Sequence, residues 1–222
     1  MKDYSTRWIC ATLADEFIFQ KFITKEENCK DFMYALFGKQ IERVVYRDLD
    51  RFMKEGFDPD GIKATLYLRD EDMKYNIQIL FANTDLEKRS RCIQSSLALS
   101  AMDPEDVYYD KTENYVIIIT EDDPFGKGNY IYKVARQCLN VEGVDCEDDN
   151  YTLFLNPEGS VGEISEELRT VFDAINGEDD WTWYASEIRR EINDIKEKRY
   201  NEMQYYYKQE HDNALKNQTV GK

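Results

Sequence analysis

The stretch GIKATLYLRDEDMKYNIQIL, residues 61–80, decides how this chain is read. Two runs rich in β-branched and aromatic residues flank the polar triplet Asp70-Glu71-Asp72. That pattern predicts a β-hairpin with the acids at its turn. Side chains alternate along a strand, so Lys63, Thr65 and Tyr67 share one face, and Ala64, Leu66 and Leu68 the other. On the returning strand Asn76, Gln78 and Leu80 share a face, opposite Ile77 and Ile79.

Upstream, residues 11–22 predict a helix carrying Leu13, Phe17 and Phe22. Thr24, with Glu27 three positions later, has the form of a capping box. It would open a second helix with Cys29, Phe32, Met33 and Leu36 on one face and Gly38 as its stop. Residues 41–47 suit a strand, and an acidic loop around Asp58, Pro59 and Asp60 leads into the hairpin. Downstream, a helix over residues 86–102 starts from Thr84 or Asp85 as N-cap. The continuous β-branched run Tyr115 to Thr120 predicts a strand buried on both faces. Further strands are expected over 129–137 and 151–155, and Ser165 caps a helix that buries Leu168, Val171, Phe172 and Ile175 and ends at Gly177.

The resulting order is α-β-β-β-α-β, an α/β fold with a mixed central sheet flanked by helices. From Asp180 the composition turns to charged helix with a narrow apolar stripe, Ile188, Ile192 and Ile195, followed by Met203 and Tyr205-Tyr206-Tyr207. We therefore divide the chain into a domain over 1–178 and a C-terminal helical extension over 179–222. The extension folds back on the body or pairs with a second copy. Its end, from about Asn213, is expected to fray.

The chain has 222 residues and 42% hydrophobic content, enough for a packed core. It has neither a bilayer-length apolar run nor a signal peptide's apolar segment, so a soluble cytoplasmic protein without membrane contact is expected. Acidic residues number 45 against 29 basic ones, a net charge of −16. That field opposes nucleic acid binding unless cations are concentrated locally. It serves solubility, or it fits a basic protein groove. Five cysteines without C-x-x-C spacing argue against a disulfide framework and a structural zinc site. Cys29 and Cys92 fall on apolar helix faces and are expected to be buried. The lone histidine, His211, argues against a Ser-His-Asp triad.

Several segments, in the right order over most of residues 13–177, resemble the PD-(D/E)XK nuclease family transposases, also described as recombination-promoting nucleases. Asp15-Glu16-Phe17-Ile18-Phe19-Gln20 resembles the family's opening D-x-x-F-K helix. Leu36-Phe37-Gly38 with Ile41 resembles the end of its second helix, and residues 61–80 its catalytic hairpin. Lys88-Arg89-Ser90-Arg91 with Gln94-Ser95 resembles the helix after the hairpin. Asp123-Pro124-Phe125-Gly126-Lys127-Gly128 with Ile131-Tyr132, and Phe154-Leu155-Asn156 with Gly159, resemble later loops and strands. The resemblance implies a restriction-endonuclease-like core and magnesium-assisted phosphodiester hydrolysis.

The residues for that chemistry are replaced. The family's aspartate position falls on Thr65, its glutamate on Gln78, its glutamine on Leu80 and its helix lysine on Gln20. Magnesium prefers hard oxygen ligands, especially carboxylates, and these side chains are neutral. Asp60 is expected about 16–17 Å from Thr65 along an extended chain. The turn acids lie too far along the hairpin, and Glu16 would reach the site alone. The resemblance therefore implies an inactive protein with no resident cofactor and a retained binding or regulatory role. Lys88, Arg89 and Arg91 form a local basic cluster for phosphate. Two other readings stand beside this one. The first is an acidic inhibitor, borne by a phage or mobile element, that fills the basic groove of a nucleic-acid enzyme. The second is an active magnesium-dependent endonuclease with a rearranged site.

Overall fold

The computed structural model describes residues 4–47, 52, 56–58, 60–69, 71, 73–101, 112–141, 143, 144, 146, 148–178 and 181–219. Pro59, Asp70, Asp72 and Asp180 of the expectations above lie outside the described residues, as does the side chain of His211. Helices α1 (Tyr4–Cys10), α2 (Glu16–Ile23) and α3 (Glu26–Phe37) precede strands β1 (Ile41–Tyr46), β2 (Ile62–Leu68) and β3 (Lys74–Phe81). Helix α4 (Leu86–Ala101), strands β4 (Thr112–Ile119), β5 (Ile131–Val134) and β6 (Asn150–Leu155), and helices α5 (Glu166–Asn176), α6 (Trp183–Glu197) and α7 (Arg199–Thr219) follow.

The strands form one mixed six-stranded sheet in the order β1-β2-β3-β4-β6-β5. Strands β1, β2 and β3 make an antiparallel meander, β3, β4 and β6 run parallel, and β5 returns antiparallel on β6. The parallel step from β3 to β4 needs a long connection, which α4 provides. The expected order α-β-β-β-α-β is present as α3-β1-β2-β3-α4-β4. The alternation read from the hairpin holds: Ala64, Leu66, Leu68, Ile77 and Ile79 are buried in the main core. Val116 to Ile119 are fully buried, as a strand covered on both faces must be.

The two sides of the sheet are covered unequally. One side packs against α1–α3 and α5–α7 through a large cluster that includes Phe17, Phe32, Ile77, Ile117, Leu155 and Phe172. On the other side α4 covers only part of β3, β4 and β6, through Leu97 against Leu80, Val116, Ile118 and Phe154.

Local structure corrects three sequence expectations. The first long helix begins at Glu16 rather than near residue 11, because Asp15 caps it and accepts from the amides of Phe17 (2.9 Å) and Ile18 (3.4 Å). Thr24 forms no capping box. Its hydroxyl donates back to the carbonyls of Gln20 and Lys21 (each 3.0 Å), and it closes α2 instead of opening α3. Cys29 is buried as expected, but Cys92 is exposed, because Leu86, Ser90, Ile93 and Leu97 turn the other side of α4 to the sheet. Gly38, Ser165 and Gly177 act as read: both glycines are left-handed helix caps, and Ser165 accepts from the amide of Leu168 at 3.1 Å.

The C-terminal helices fold back onto the N-terminal ones. Ile188, Ile195 and Tyr205 belong to the main core, and α7 remains helical to Thr219, past the expected fraying point. Trp8 of α1, Phe17 of α2 and Tyr205 of α7 form an aromatic trio with centroids 5.2–6.1 Å apart. Tyr205 Oη also donates to Asp15 Oδ2 at 3.2 Å. Lys25 pairs with Glu191 at 2.6 Å, and Lys21 donates to Gln204 at 2.9 Å.

Phe17→Ala should lower stability by about 3–5 kcal/mol, since it empties the centre of this trio. A denaturation midpoint within error of the unsubstituted chain would contradict that role. Burial raises the hydroxyls of Tyr46, Tyr115 and Tyr205 above their ordinary value, and raises Tyr75 to about 12. Folded values above the unfolded value of about 10 mean that this stability is complete below that pH and is lost as pH rises towards 12. The thermal midpoint should fall steadily over that interval; a flat profile would sink this account.

Candidate functional site

The partly covered side of the sheet carries the hairpin positions singled out above. Thr65 and Gln78 lie on that side, but they are not cross-strand partners: Thr65 faces Asn76, and Gln78 faces Lys63. The strand register builds rows of side chains across the sheet. Val45, Thr65, Asn76, Asn114 and Asn150 form one row, and Arg43, Tyr67 and Lys74 form the row beside it.

The first row is a ladder of hydrogen bonds. Arg47 Nη2, just beyond β1, donates to Thr65 Oγ1 (3.1 Å) and to Asn76 Oδ1 (3.0 Å). Thr65 Oγ1 donates to the same Asn76 oxygen at 2.8 Å. Asn76 Nδ2 donates to Asn114 Oδ1 (3.1 Å), and Asn114 Nδ2 to Asn150 Oδ1 (3.2 Å). From α4, Gln94 Nε2 reaches the same Asn150 oxygen at 3.0 Å. Asn76 is 2% exposed and Thr65 7%, so these polar groups need one another. Apart from Arg47, every ladder side chain is neutral.

Gln78 is used differently. Its Nε2 donates to the Asp60 carbonyl at 2.6 Å, and its buried Oε1 has no hydrogen-bond partner among the described residues. The approach to β2 is not extended as expected. Gly61 takes φ +83, its amide donates to the Asp58 carbonyl (3.0 Å), and the chain turns so that the Asp60 carbonyl meets Gln78. Gln20 locks that turn from α2. Its Nε2 donates to the Asp58 carbonyl (2.7 Å), and its Oε1 accepts the Asp58 amide (2.9 Å). Leu80 is part of the small core beneath α4. Glu16 lies 4.0 Å from Lys208 of α7.

The basic cluster divides. Lys88 and Arg91 line an open concavity with Cys92, Ser95, Ser96 and Leu99 on the outer side of α4, facing away from the sheet. Arg89 is half-buried. The Asp123 loop is a self-contained turn. Asp123 Oδ1 accepts the Phe125 amide (3.0 Å) and the Tyr132 hydroxyl (2.7 Å), and Oδ2 accepts the Gly128 amide (2.6 Å). The Tyr132 hydroxyl and these amides hold its carboxyl well below the usual range, at about 2. Among the described residues no three Asp, Glu, His or Cys side chains are grouped to hold a metal ion. The magnesium implied by the resemblance does not fit the groups present, which are the Thr65 hydroxyl, the carboxamides of Asn76, Gln78, Gln94, Asn114 and Asn150, and the Arg47 guanidinium.

The sequence reading missed Arg47, Asn76, Asn114 and Asn150. Asparagine is depleted in strands, so its occurrence in β3, β4 and β6 was the available signal. No family model matches the chain, and no curated protein or solved structure does either.

Asn76→Ala should cost about 1–3 kcal/mol, because it removes the oxygen that accepts from both Thr65 and Arg47 and the donor to Asn114. Asn114→Ala at the next rung should be partly non-additive with it in a double-mutant cycle. Strict additivity in urea denaturation would show that the ladder does not act as one unit.

Proposed function

We propose that this chain is a PD-(D/E)XK-like protein, with a restriction-endonuclease-like core, that binds the phosphate backbone of nucleic acid without cutting it. One observation carries the reading. The sheet side bearing Thr65 and Gln78 also bears Arg43 and Arg47 at β1, Lys63 on β2 and Lys74 on β3. Strands β2 and β3 contain no carboxylate, in a chain of net charge −16. Glu42 sits in the β1 bulge at the sheet edge. Cations collected on one face of an acidic protein supply the local field that phosphate binding needs.

The supporting chemistry is positional. Adjacent strands lie about 4.8 Å apart, and same-face residues along a strand about 6.8 Å apart. Arg43, Arg47, Lys63 and Lys74 therefore surround the Thr65–Asn76 pair. Arg43 stacks on Tyr67, its guanidinium carbon 4.0 Å from the ring centroid, and this fixes it at the rim. Among the described residues, the ladder offers no pair of carboxylates to activate water on a divalent ion. Retained binding with lost hydrolysis follows.

Fluorescence anisotropy with labelled duplex and single-stranded oligonucleotides across a salt series tests this. Affinity should fall steeply with salt, and Arg43→Gln/Lys63→Gln/Lys74→Gln should reduce the log–log slope by about 2–3. A plasmid nicking assay with magnesium or manganese should show no product. Salt-independent binding, or nicking abolished by EDTA, would reject the proposal. A tight protein partner with no oligonucleotide affinity would favour the acidic-inhibitor reading.

A further inference from the structure

The contact between α2 and α7 holds a lysine whose charge is poorly supported. Lys21, in the last turn of α2, is half-buried, and its Nζ lies 5.3 Å from the Phe17 ring centroid and 4.6 Å from that of Phe52. It donates to Gln204 Oε1 of α7 at 2.9 Å. The charge that acts on it is another cation, Lys198, at the junction of α6 and α7. Acids on the elements around it face other groups: Glu16 faces Lys208, Asp15 accepts from Tyr205, Glu202 accepts from Tyr206, and Glu191 of α6 pairs with Lys25. Among the described residues no carboxylate forms an ion pair with Lys21. Burial, and then the charge of Lys198, lower its pKa to about 8. An ordinary lysine titrates at ~10.4 and is almost wholly protonated near neutrality, whereas Lys21 presents a free amine in a substantial fraction of molecules.

A second observation lies across the same hydrogen bond. Gln204 is 6% exposed, and its Nε2 is buried without a hydrogen-bond partner. The Lys21 ammonium has only donors, so the atom it meets is the amide oxygen and the other is the nitrogen. Both atoms branch from one carbon, which places an unused N–H group beside the Lys21–Gln204 bond. A buried donor without an acceptor is unfavourable, and the acceptor missing here would sit next to an amine and close to a second cation.

We propose that Lys21 is a modification site for carbon dioxide, whose carbamate is held by Gln204 and Lys198. The lone pair of the neutral Nζ forms a bond to the carbon of CO2, one C=O pair moves onto oxygen, and a proton leaves the nitrogen for solvent. The amine and CO2 thus give R–NH–COO⁻ and H⁺. The product complements the glutamine amide. In a carbamate one carboxylate oxygen lies on the same side as the N–H. Lys21 keeps its bond to Gln204 Oε1, and that carboxylate oxygen accepts from Gln204 Nε2, so a cyclic pair of hydrogen bonds satisfies the orphan donor. An acetyl group would set its oxygen opposite the N–H and leave Nε2 unsatisfied. The rings of Phe17 and Phe52 give apolar CO2 a dry wall, and Lys198 supplies the countercharge. The site is independent of the nucleic-acid reading. Carbamate formation turns a positive group into a negative one where α7 presses on α2, one residue from the Gln20 side chain that holds the turn before β2.

Chemical trapping on the full chain tests this. The protein is equilibrated with bicarbonate and dissolved CO2, carbamates are fixed with triethyloxonium ion, and peptide mass spectrometry locates the ethyl carbamate. Lys21 should carry about ten times the label of any other lysine side chain. At constant dissolved CO2 its label should rise from about pH 6.5 to 8.5 as the amine loses its proton, while ordinary lysines stay protonated. Gln204→Met removes the orphan donor without adding charge. In that variant, shown to be folded by circular dichroism, the label on Lys21 should fall about tenfold. Acetylation of Lys21 by trace acetic anhydride, which reports only the free amine, should stay within about twofold. No label on Lys21 of the unsubstituted chain, or no more than on exposed lysines, would overturn the proposal whether or not the variant folds. Carbamate label unchanged in Gln204→Met, or lost in step with acetylation, would overturn it as well.

Discussion

The parallel register between β3 and β4 is the constraint on which the rest of the sheet depends. It sets Asn76 beside Asn114, Gln78 beside Val116 and Leu80 beside Ile118. On the side of α4, polar neighbours thus meet at one end of the strands and apolar neighbours at the other. Because side chains alternate with a period of two, a slip of one residue would turn the amides into the main core and expose Ile77 and Ile117. The same register explains why α4 can cover the apolar end through Leu97 while its Gln94 reaches the polar end. Polar ladder and small core are two results of one alignment.

A second layer of organisation joins the ends of the described chain. Gln20 of α2 holds the turn before β2, and α7 presses on the same region. Gln204 lies so close to Gly56 that a Cβ there would meet its side chain at 2.2 Å. Gly61 is equally constrained: a Cβ would fall 2.1 Å from the Ile79 carbonyl oxygen. The segment that delivers the Asp60 carbonyl to Gln78 is therefore shaped by the hydrogen bonds of Gln20 and by sterics from Gln204 and Ile79. The charged C-terminal helices act as a buttress, although their composition sets them apart from the rest of the chain.

Much of this arrangement was legible in the residues, for identifiable reasons. Periodicity located the hairpin, the buried strand β4 and the apolar face of α5, because burial of one face leaves a regular trace in sequence. Helix boundaries were less legible where one residue could serve two ends. Thr24 can cap forwards or backwards, and only the packing of α2 against α3 decides. Asp60 was read on an extended chain across Gly61, whose left-handed conformation instead turns the chain so that the Asp60 carbonyl meets Gln78. The hairpin drew attention to Thr65 and Gln78, but a partner that shapes the environment of Thr65, Arg47, lies outside the hairpin. Hydrogen bonding between distant strands leaves no periodic signature.

The trio of Trp8, Phe17 and Tyr205 has a consequence for synthesis. Roughly two hundred residues separate Trp8 from Tyr205 along the chain. At ribosomal speeds of about 5–20 residues per second, the N-terminal helices emerge some 10–40 s before the ring that completes their packing. During that interval their apolar faces are exposed while the sheet is still being made. The nascent chain thus passes through a sticky intermediate whose lifetime is set by translation. Slow codons late in the message would prolong this exposure and bear on the yield of folded protein.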